Sequence, residues 1–465
     1  MLDQALQYAH THRDQALREL FQLLEIPSVS AQPDHQPDMQ RAAEWLAHHM
    51  QQIGLQNIQV FPTAGHPVVY ADWLNATGRP TILVYGHYDV QPPDPLDEWR
   101  SDPFKPDVRG DDLFARGAAD DKGQLFIHLK AVEAYLRTSG KLPVNVKFIF
   151  EGEEEIGSEH LPAFIESHRD LLASANQSTA GRTSVAVISD SHIIDPGQPS
   201  IVYGLRGLTY MEVEIQGPAH DLHSGSYGGA IKNPIEALCE IIDALKDDQG
   251  RILIPGFYDK VRPLDPEERA ELARVPFSEA QFRAETGIQK TWGEAGYTVK
   301  EQISARPTLE VNGFWGGYTG AGAKTVLPAR AFAKVSMRLV PDQTSDEIAQ
   351  LFQEHIERLT PDTVKVTVRK LHGGEGAIVD RHIPEMQAAA VAYERAFGQR
   401  PVYTREGGTI PVVADFQRRL GIPTILMGFG LPDDNLHAPN EKFHLPNFYK
   451  GIDTVVYLLS EMGLV

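Results

Sequence analysis

The stretch VNVKFIFEGEEEIGSEH, residues 144–160, joins a strongly apolar run to a segment that carries five carboxylates. The run VNVKFIF has the length and composition of a buried strand. Two carboxylates about 4 Å apart repel each other by roughly 4 kcal/mol at an effective dielectric constant near 20. The acidic segment must therefore be solvated or held by a compensating positive charge.

Similar apolar runs lie on both sides of this stretch and alternate with helical patterns. The runs are NIQVF (57–61), HPVVYADW (66–73), TILVYGHYDV (81–90) and TSVAVISD (183–190), and QLFIHLKAVEAYL (124–136) has helical periodicity. This alternation is typical of an α/β domain with a mixed, mostly parallel sheet. Functional side chains are then expected at the carboxyl ends of the strands.

The pattern changes after about Leu205. The segments LTYMEVEIQG (208–217) and AFAKVSMRLVP (331–341) alternate like half-exposed strands, and residues 245–310 are rich in Pro, Arg and Glu. We therefore predict an α/β domain formed by residues 1–205 and 377–465, with an α+β domain, residues 206–376, inserted into it. A chain of 465 residues is long enough for two domains.

Composition limits the partners. The net charge of −20 disfavours nucleic acid and anionic membrane surfaces as main partners. A small molecule or a cation is the expected partner. No apolar run approaches the 18 residues of a membrane helix, and the N-terminus lacks a signal-peptide pattern, so we expect a cytoplasmic protein. The single cysteine, Cys239, excludes an intramolecular disulfide and a cysteine-based zinc site, and we expect it to be a buried helix residue.

His87 and Asp89 close the apolar run TILVYGHYDV. Residues two apart in a strand point to the same face, so the two side chains can meet. This spacing suits a metal-binding imidazole oriented by a carboxylate. A strand-end histidine that simply pairs with its neighbour fits equally well.

Three other short segments offer further metal donors. Asp120 precedes a helical pattern, Asp190 ends an apolar run, and His437 lies in a polar loop. Each alone is weak evidence, since Asp120 could equally cap a helix. Together with His87 and Glu154 they suggest two divalent cations, zinc or manganese, which would neutralise the acidic segment and are typical of a hydrolase.

Eight motifs occur in a characteristic order: GHYDVQP (86–92), ARGAADDKG (115–123), EGEEEIGSE (151–159), ISD (188–190), DLHSGSYGG (221–229), KTVLP (324–328) with MRLVP (337–341), REGGTIPV (405–412) and NLHAPNEKF (435–443). In this order they resemble the motifs of the two-metal aminoacylase and carboxypeptidase family, most closely its carnosinase-like dipeptidase branch. The resemblance extends from about residue 15 to the C-terminus.

The resemblance implies two divalent metal ions per subunit, Zn²⁺ first and Mn²⁺ second. One ion would be bound by His87 and Asp190 and the other by Glu155 and His437, with Asp120 bridging both. Glu154 would be the general base, and Asp89 would orient His87. The peptide bond between Asp120 and Asp121 would be cis.

The resemblance also assigns substrate contacts and makes the inserted domain a lid and dimerisation domain. His223 would stabilise the oxyanion from the lid of a partner subunit, which requires a homodimer. The proposed contacts to a small peptide are Thr325, Arg338, His372, Gly408 and Thr409, and His372 matches only by its spacing. Without the resemblance, we would interpret His223 as a turn residue and Arg338 as a surface arginine in an ion pair.

We therefore predict a metal-dependent hydrolase that cleaves dipeptides or short peptides. An N-acyl amino acid deacylase of the same family and a catalytically inactive binding scaffold are the alternatives. Nucleotide binding by GGYTGAGAKT (316–325) is disfavoured, because Ala323 stands where a phosphate loop needs glycine. The other acidic residues, Glu151, Glu153 and Glu159, are expected to be solvated or hydrogen-bonded.

Overall fold

A computed structural model describes residues 1–173, 183–408 and 410–464. The chain divides into two compact units. Unit 1 consists of Met1–Tyr203, Val379–Thr404 and Val412–Val465, and unit 2 consists of Gly204–Ile378 and Arg405–Pro411.

The described residues form helices and strands throughout both units. The helices are α1 (Leu2–Thr11), α2 (Arg13–Leu24), α3 (Gln36–Ile53), α4 (Lys122–Ser139), α5 (Leu161–Ser167), α6 (Arg169–Ala173), α7 (Ser224–Tyr227), α8 (Pro234–Asp243), α9 (Pro266–Leu272), α10 (Glu279–Thr286), α11 (Val299–Ser304), α12 (Ser345–Leu359), α13 (Pro384–Phe397), α14 (Pro411–Asp415) and α15 (Leu445–Met462). The strands are β1 (Gln56–Phe61), β2 (Val68–Trp73), β3 (Thr81–His87), β4 (Asp107–Arg109), β5 (Asp112–Phe114), β6 (Asn145–Glu151), β7 (Thr183–Ile188), β8 (Ser200–Leu205), β9 (Gly207–Gln216), β10 (Leu222–His223), β11 (Thr308–Gly316), β12 (Val326–Leu327), β13 (Arg330–Leu339), β14 (Lys365–Gly374), β15 (Ala377–Ile378), β16 (Val402–Glu406), β17 (Thr424–Leu426) and β18 (Lys442–His444).

The main sheet of unit 1 runs in the order β1-β2-β6-β3-β7-β17-β8. Strand β3 is parallel to both β6 and β7, and β17 is parallel to β7, whereas β1 and β2 are antiparallel to their neighbours. All residues of β3 and β6 are buried, as expected for strands covered on both faces. The mixed sheet, in which the central strands β6, β3, β7 and β17 are parallel and β17 and β8 are antiparallel, confirms the predicted fold class.

Helices cover this sheet, and residue types typical of helix termini mark where they begin or end. Helix α3 ends at Gly54, whose φ of 98° belongs to the left-handed region that glycine adopts without steric cost. Helix α4 is buried along most of its length and packs against α15 and α1. Because α4 begins at Lys122, the Asp120 loop lies directly before its first turn.

Unit 2 contains an antiparallel sheet in the order β11-β13-β9-β14. Alternate residues of β13 are buried in a core that includes Ile241 and Phe352 of α8 and α12, and the residues between them, Arg338 among them, form the half-exposed face. The expectation that Cys239 is buried was wrong. Helix α8 buries Ala237, Leu238 and Ile241, and Cys239 lies off this stripe and is exposed.

Candidate metal centre

Three parallel strands of unit 1 end beside one another and bring the predicted donors to one sheet edge. Strand β3 ends at His87, β6 is followed by a short 3₁₀ turn at Glu154–Ile156, and Asp190 follows β7. The carboxyl ends of parallel strands lie at the same edge, where open α/β sheets bind their ligands.

Asp120 lies between the two predicted histidine ligands. Its Oδ1 is 3.1 Å from His87 Nε2, and its Oδ2 is 2.9 Å from His437 Nε2. Each carboxylate oxygen thus faces a different imidazole. The Asp120–Asp121 peptide bond is cis, as the resemblance implies.

Each of the remaining two predicted ligands lies near one of the two histidines. Glu155 Oε2 is 3.2 Å from His437 Nε2, and Asp190 Oδ2 is 4.0 Å from His87 Nε2. The five side chains therefore converge as two overlapping groups that share one aspartate.

Asp89 links His87 to the acidic segment. Its Oδ1 is 3.4 Å from His87 Nδ1, and its two carboxylate oxygens accept hydrogen bonds from the backbone amides of Glu154 and Glu155 at 3.3 and 3.1 Å. His87 Nδ1 also lies 3.1 Å from the Asp89 backbone oxygen. These contacts leave Nε2 of His87 directed at Asp120.

The protonation behaviour of the cluster reflects its excess of negative charge. Hydrogen bonds to Asp120 and Glu155 raise the pKa of His437 to about 10. Burial alone would raise the pKa of Asp120, but hydrogen bonds from His437 and His87 outweigh it and hold this pKa below its usual range. Burial, with repulsion from Asp120, raises the pKa of Asp190 to about 7. Burial also raises the pKa of Glu154, and nearby carboxylates add to the shift.

These features fit a site for divalent cations. The donors are imidazole nitrogens and carboxylate oxygens, which suit zinc and manganese. Both carboxylate oxygens of Asp120 attract positive charge. His87 is oriented by contacts of its Nδ1 with Asp89, as is usual for metal-binding histidines. One side chain with two separately directed oxygens is suited to serve two cations.

A second group of possible metal donors in unit 1 already includes the positively charged side chain of a lysine. Glu19, His49 and Glu133 lie close together, and the ammonium group of Lys130 contacts both carboxylates. This group is an ion-pair network between helices.

The other three acids of the opening stretch are accounted for individually. Buried Glu151 accepts hydrogen bonds from Tyr85 and Ser158, and burial raises its pKa to about 7. Glu153 pairs with His160 at 3.0 Å, and Glu159 is exposed. They are hydrogen-bonded or solvated, as expected.

Three further residues, to which the sequence patterns assigned no role, support this cluster. Gln91 donates a hydrogen bond to Glu155 Oε2 at 2.9 Å, and Asp121 Oδ2 accepts one from the backbone amide of His87 at 3.3 Å. Glu441 is fully buried and binds the loop that carries Asp120. Gln91 and Glu441 belong to the quoted motifs GHYDVQP and NLHAPNEKF, so the motifs themselves were the available signal.

The predicted substrate residues belong to unit 2, and two of them are neighbours. Exposed His223 ends β10, and its Nδ1 accepts a hydrogen bond from the Gly225 amide at 3.0 Å. The next amide, Ser224 N–H, donates to the Thr325 backbone oxygen at 3.0 Å. The structure therefore brings His223 and Thr325 together.

Arg338 and His372 share the half-exposed face of the unit 2 sheet. Arg338 pairs with Leu208 and His372 with Tyr210, and the His372 ring stacks on Tyr210 at 5.1 Å. Gly408 is exposed, and Thr409 lies outside the described residues.

Comparison with known proteins decides the family. The family model described as "Peptidase family M20/M25/M40" matches residues 83–461. The chain belongs to this family. Its predicted enzyme class, a metal-dependent peptidase, is thereby confirmed, as is the resemblance on which the prediction rested.

Relatives and solved structures of the family match nearly the whole chain. The chain is 34% identical to the Cys-Gly metallodipeptidase DUG1 of Candida albicans, over 96% of this chain and 94% of that protein. The structure of human carnosine dipeptidase 1 is 30% identical, with a TM-score of 0.78 over 100% of this chain and 99% of that one. An M20 family metallo-carboxypeptidase from Sulfolobus solfataricus is 32% identical, with a TM-score of 0.81 over 97% of this chain and 99% of that one.

The described residues include no helix that is both long enough and apolar enough to cross a bilayer.

Proposed function

We propose that this M20 peptidase hydrolyses the peptide bond of dipeptides or short peptides. The observation that carries the proposal is Asp120, whose two oxygens face His87 and His437 separately. The relatives named Cys-Gly metallodipeptidase and Beta-Ala-His dipeptidase, the latter at 30% identity in Homo sapiens, favour small peptides as substrates.

In this proposal His87 and Asp190 would hold one cation, Glu155 and His437 would hold a second, and Asp120 would contribute to both. Zinc is the first candidate and manganese the second. Bound cations of this kind polarise a carbonyl group and lower the pKa of water. Asp89 keeps His87 oriented by holding its Nδ1.

Glu154 is the proposed general base. It accepts a proton from the attacking water and passes it to the leaving amine. Burial raises its pKa, and repulsion from Asp190 raises it further, so its carboxylate is a better proton acceptor than an exposed glutamate.

Unit 2 supplies the proposed substrate contacts. Arg338 and Thr325 hold the carboxylate of the substrate, because a guanidinium group can bind a carboxylate through two parallel hydrogen bonds. His372, Gly408 and Thr409 complete the substrate contacts. His223 stabilises the oxyanion from the partner subunit.

The proposed role of His223 in stabilising the oxyanion requires a homodimer, and exposed apolar side chains of unit 2 support dimerisation. Several large apolar side chains of unit 2 are exposed, three of them on β11, and exposed apolar surface can mark an interface. They are Tyr227, Val311, Phe314, Trp315, Tyr318 and Leu371. We also propose a cytoplasmic location, which suits a protein whose single cysteine cannot form an internal disulfide.

Substrate pairs and one matched pair of variants test this proposal. The zinc- or manganese-loaded enzyme should cleave an unblocked dipeptide faster than its N-acetyl analogue, and the reverse preference would indicate a deacylase. Glu154→Gln should retain two metal equivalents and lose at least 100-fold in kcat, the lower range expected for a general base. Glu159→Gln, an exposed acid of the same segment, should match the wild type. Wild-type turnover by Glu154→Gln would refute the assigned base.

A further inference from the structure

A cavity of about 580 Å³ lies within unit 2 beside Arg338. It is lined by residues of β11 and of β13, including Asn312 and Ser336, and by the segment that precedes β11. This volume is in the range of small-molecule sites. The proposed function uses only Arg338 of its lining residues.

The lining carries positive charge although the chain is strongly acidic. Its described residues include five basic and two acidic side chains, whereas the whole chain has a net charge of −20. These are Arg206, Lys246, Lys290, Arg306 and Arg338, with Glu294 and Glu310. Such a local excess of positive charge attracts anionic ligands.

Both acids lie beside other basic residues of the lining. Arg306 donates two hydrogen bonds of 2.8 Å to Glu294, and Lys246 lies 3.7 Å from Glu310. Arg206 donates to the backbone oxygens of Gln302 and Arg306 at 3.4 and 3.2 Å and is only 9% exposed. A buried guanidinium anchored by the backbone is held in a fixed position for a ligand.

Arg206 and Arg338 both line this cavity, and the positive charge of Arg338 disfavours the charged form of Arg206. Burial, together with the charge of Arg338, lowers the pKa of Arg206 to about 10. Burial also lowers the pKa of Arg338. A carboxylate bound to both guanidinium groups would relieve this repulsion and form charge-assisted hydrogen bonds.

The lining also contains apolar and exposed side chains. Trp292 is 62% exposed, and Ile288 and Ile303 are also among the exposed large apolar residues of the chain. Phe282 and Ile252 lie in the same lining. Covering such side chains with a ligand stabilises the complex by about 25 cal/mol per Å² of buried apolar surface.

We propose that this cavity binds the C-terminal residue of the substrate and selects a large apolar side chain. Arg206 joins Arg338 in holding the terminal carboxylate, and the wall formed by Trp292, Ile288 and Ile303 holds the side chain. This inference rests on the proposed function and specifies its substrate class as dipeptides with an apolar C-terminal residue.

The side-chain preference is tested with Ala-Leu, Ala-Gly and Ala-Glu. Wild-type kcat/KM should be about tenfold higher for Ala-Leu than for each of the other two. Trp292→Ala should reduce the Ala-Leu to Ala-Gly ratio several-fold, mainly through KM. Phe277→Ala removes an exposed aromatic residue of the same segment that does not line this cavity, and it should keep the wild-type ratio.

The role of Arg206 is tested with Ala-Leu and its C-terminal amide, which lacks the carboxylate. Arg206→Gln should reduce the preference for the free acid over the amide at least tenfold, and Arg206→Lys should reduce it less. Arg330→Gln, at the other end of β13, should leave this preference unchanged. A purely structural role for Arg206 would lower both rates equally and would contradict the inference.

The outcomes separate this inference from the proposed function. A wild-type enzyme that cleaves dipeptides but favours Ala-Glu, or treats Ala-Gly and Ala-Leu alike, would overturn the cavity assignment alone. A metal-loaded enzyme that cleaves no dipeptide would overturn the proposed function and this inference with it.

Discussion

Replacing Glu441 by glutamine should disturb the loop that presents Asp120. Glu441 is fully buried and accepts four hydrogen bonds from this loop. Its Oε1 binds the amides of Ala119 and Asp120 at 3.0 and 3.1 Å, and its Oε2 binds the Gly117 amide at 2.9 Å and Arg116 Nη1 at 2.8 Å.

The size of the effect follows from these contacts. Glutamine has one acceptor oxygen, so two of the four donors would face an NH₂ group instead. Hydrogen bonds to charged groups contribute about 1.5–3 kcal/mol each, and breaking a buried ion pair such as Arg116–Glu441 costs about 3–5 kcal/mol. We expect Glu441→Gln to lower the free energy of unfolding by about 3–5 kcal/mol and zinc affinity roughly 10- to 100-fold.

Zinc affinity, measured by competition with a chelator, and chemical denaturation check the two effects separately. The control is Asp72→Asn, since Asp72 is also buried and accepts hydrogen bonds from Tyr70 and Asn57. This control should lose stability and keep the wild-type zinc affinity. Unchanged zinc affinity in Glu441→Gln would show that Glu441 does not position Asp120.

Three further predictions concern metal stoichiometry, acid stability and assembly. Asp120→Ala should lose both metal equivalents together, measured by elemental analysis of the purified protein, and retention of one equivalent would contradict the shared ligand. Burial lowers the pKa of His49 to about 4, so between pH 6.5 and 4 the unfolded chain binds a proton that the folded chain does not. Stability should therefore fall with decreasing pH in this range, by at most about 1.4 kcal/mol per pH unit from this group. In chemical denaturation, His49→Gln should remove that part of the slope, whereas His48→Gln, at the exposed neighbouring position, should retain it. Trp315→Glu should shift the protein from dimer to monomer in analytical ultracentrifugation, whereas Leu253→Glu, an exposed apolar position outside the proposed dimer surface, should not; equal behaviour of both variants would count against that surface.

Local sequence patterns were sufficient for the strands of unit 1 but not for their order. Apolar runs predict β2, β3, β6 and β7, because each buried strand is nearly continuous in apolar residues. The position of β17 between β7 and β8 depends on pairing between distant segments, which periodicity does not encode. The prediction for Cys239 failed for a related reason. It lies in an apolar stretch, but only one face of helix α8, which includes Ala237 and Ile241, is buried.

The convergence of the metal donors could be predicted, because ligands of open α/β sheets bind at the carboxyl ends of the strands. The assignment of individual donors came from the family motifs. His87 ends β3 and Asp190 follows the adjacent parallel strand β7, so their proximity follows from the sheet. His437 comes from a distant loop, and only the motif order linked it to Asp120. The motif NLHAPNEKF contains Glu441, but its contacts could not be derived from the sequence, because its partners are mainly backbone amides whose directions depend on the folded loop.

The position of β17 has a consequence for synthesis of the protein on the ribosome. Strands β7 and β8 each pair with β17, which is translated long after them. At about 5–20 residues per second this delay is on the order of tens of seconds. The nascent chain therefore holds two incompletely paired strands during that interval, and chaperone binding to this intermediate would protect it from aggregation.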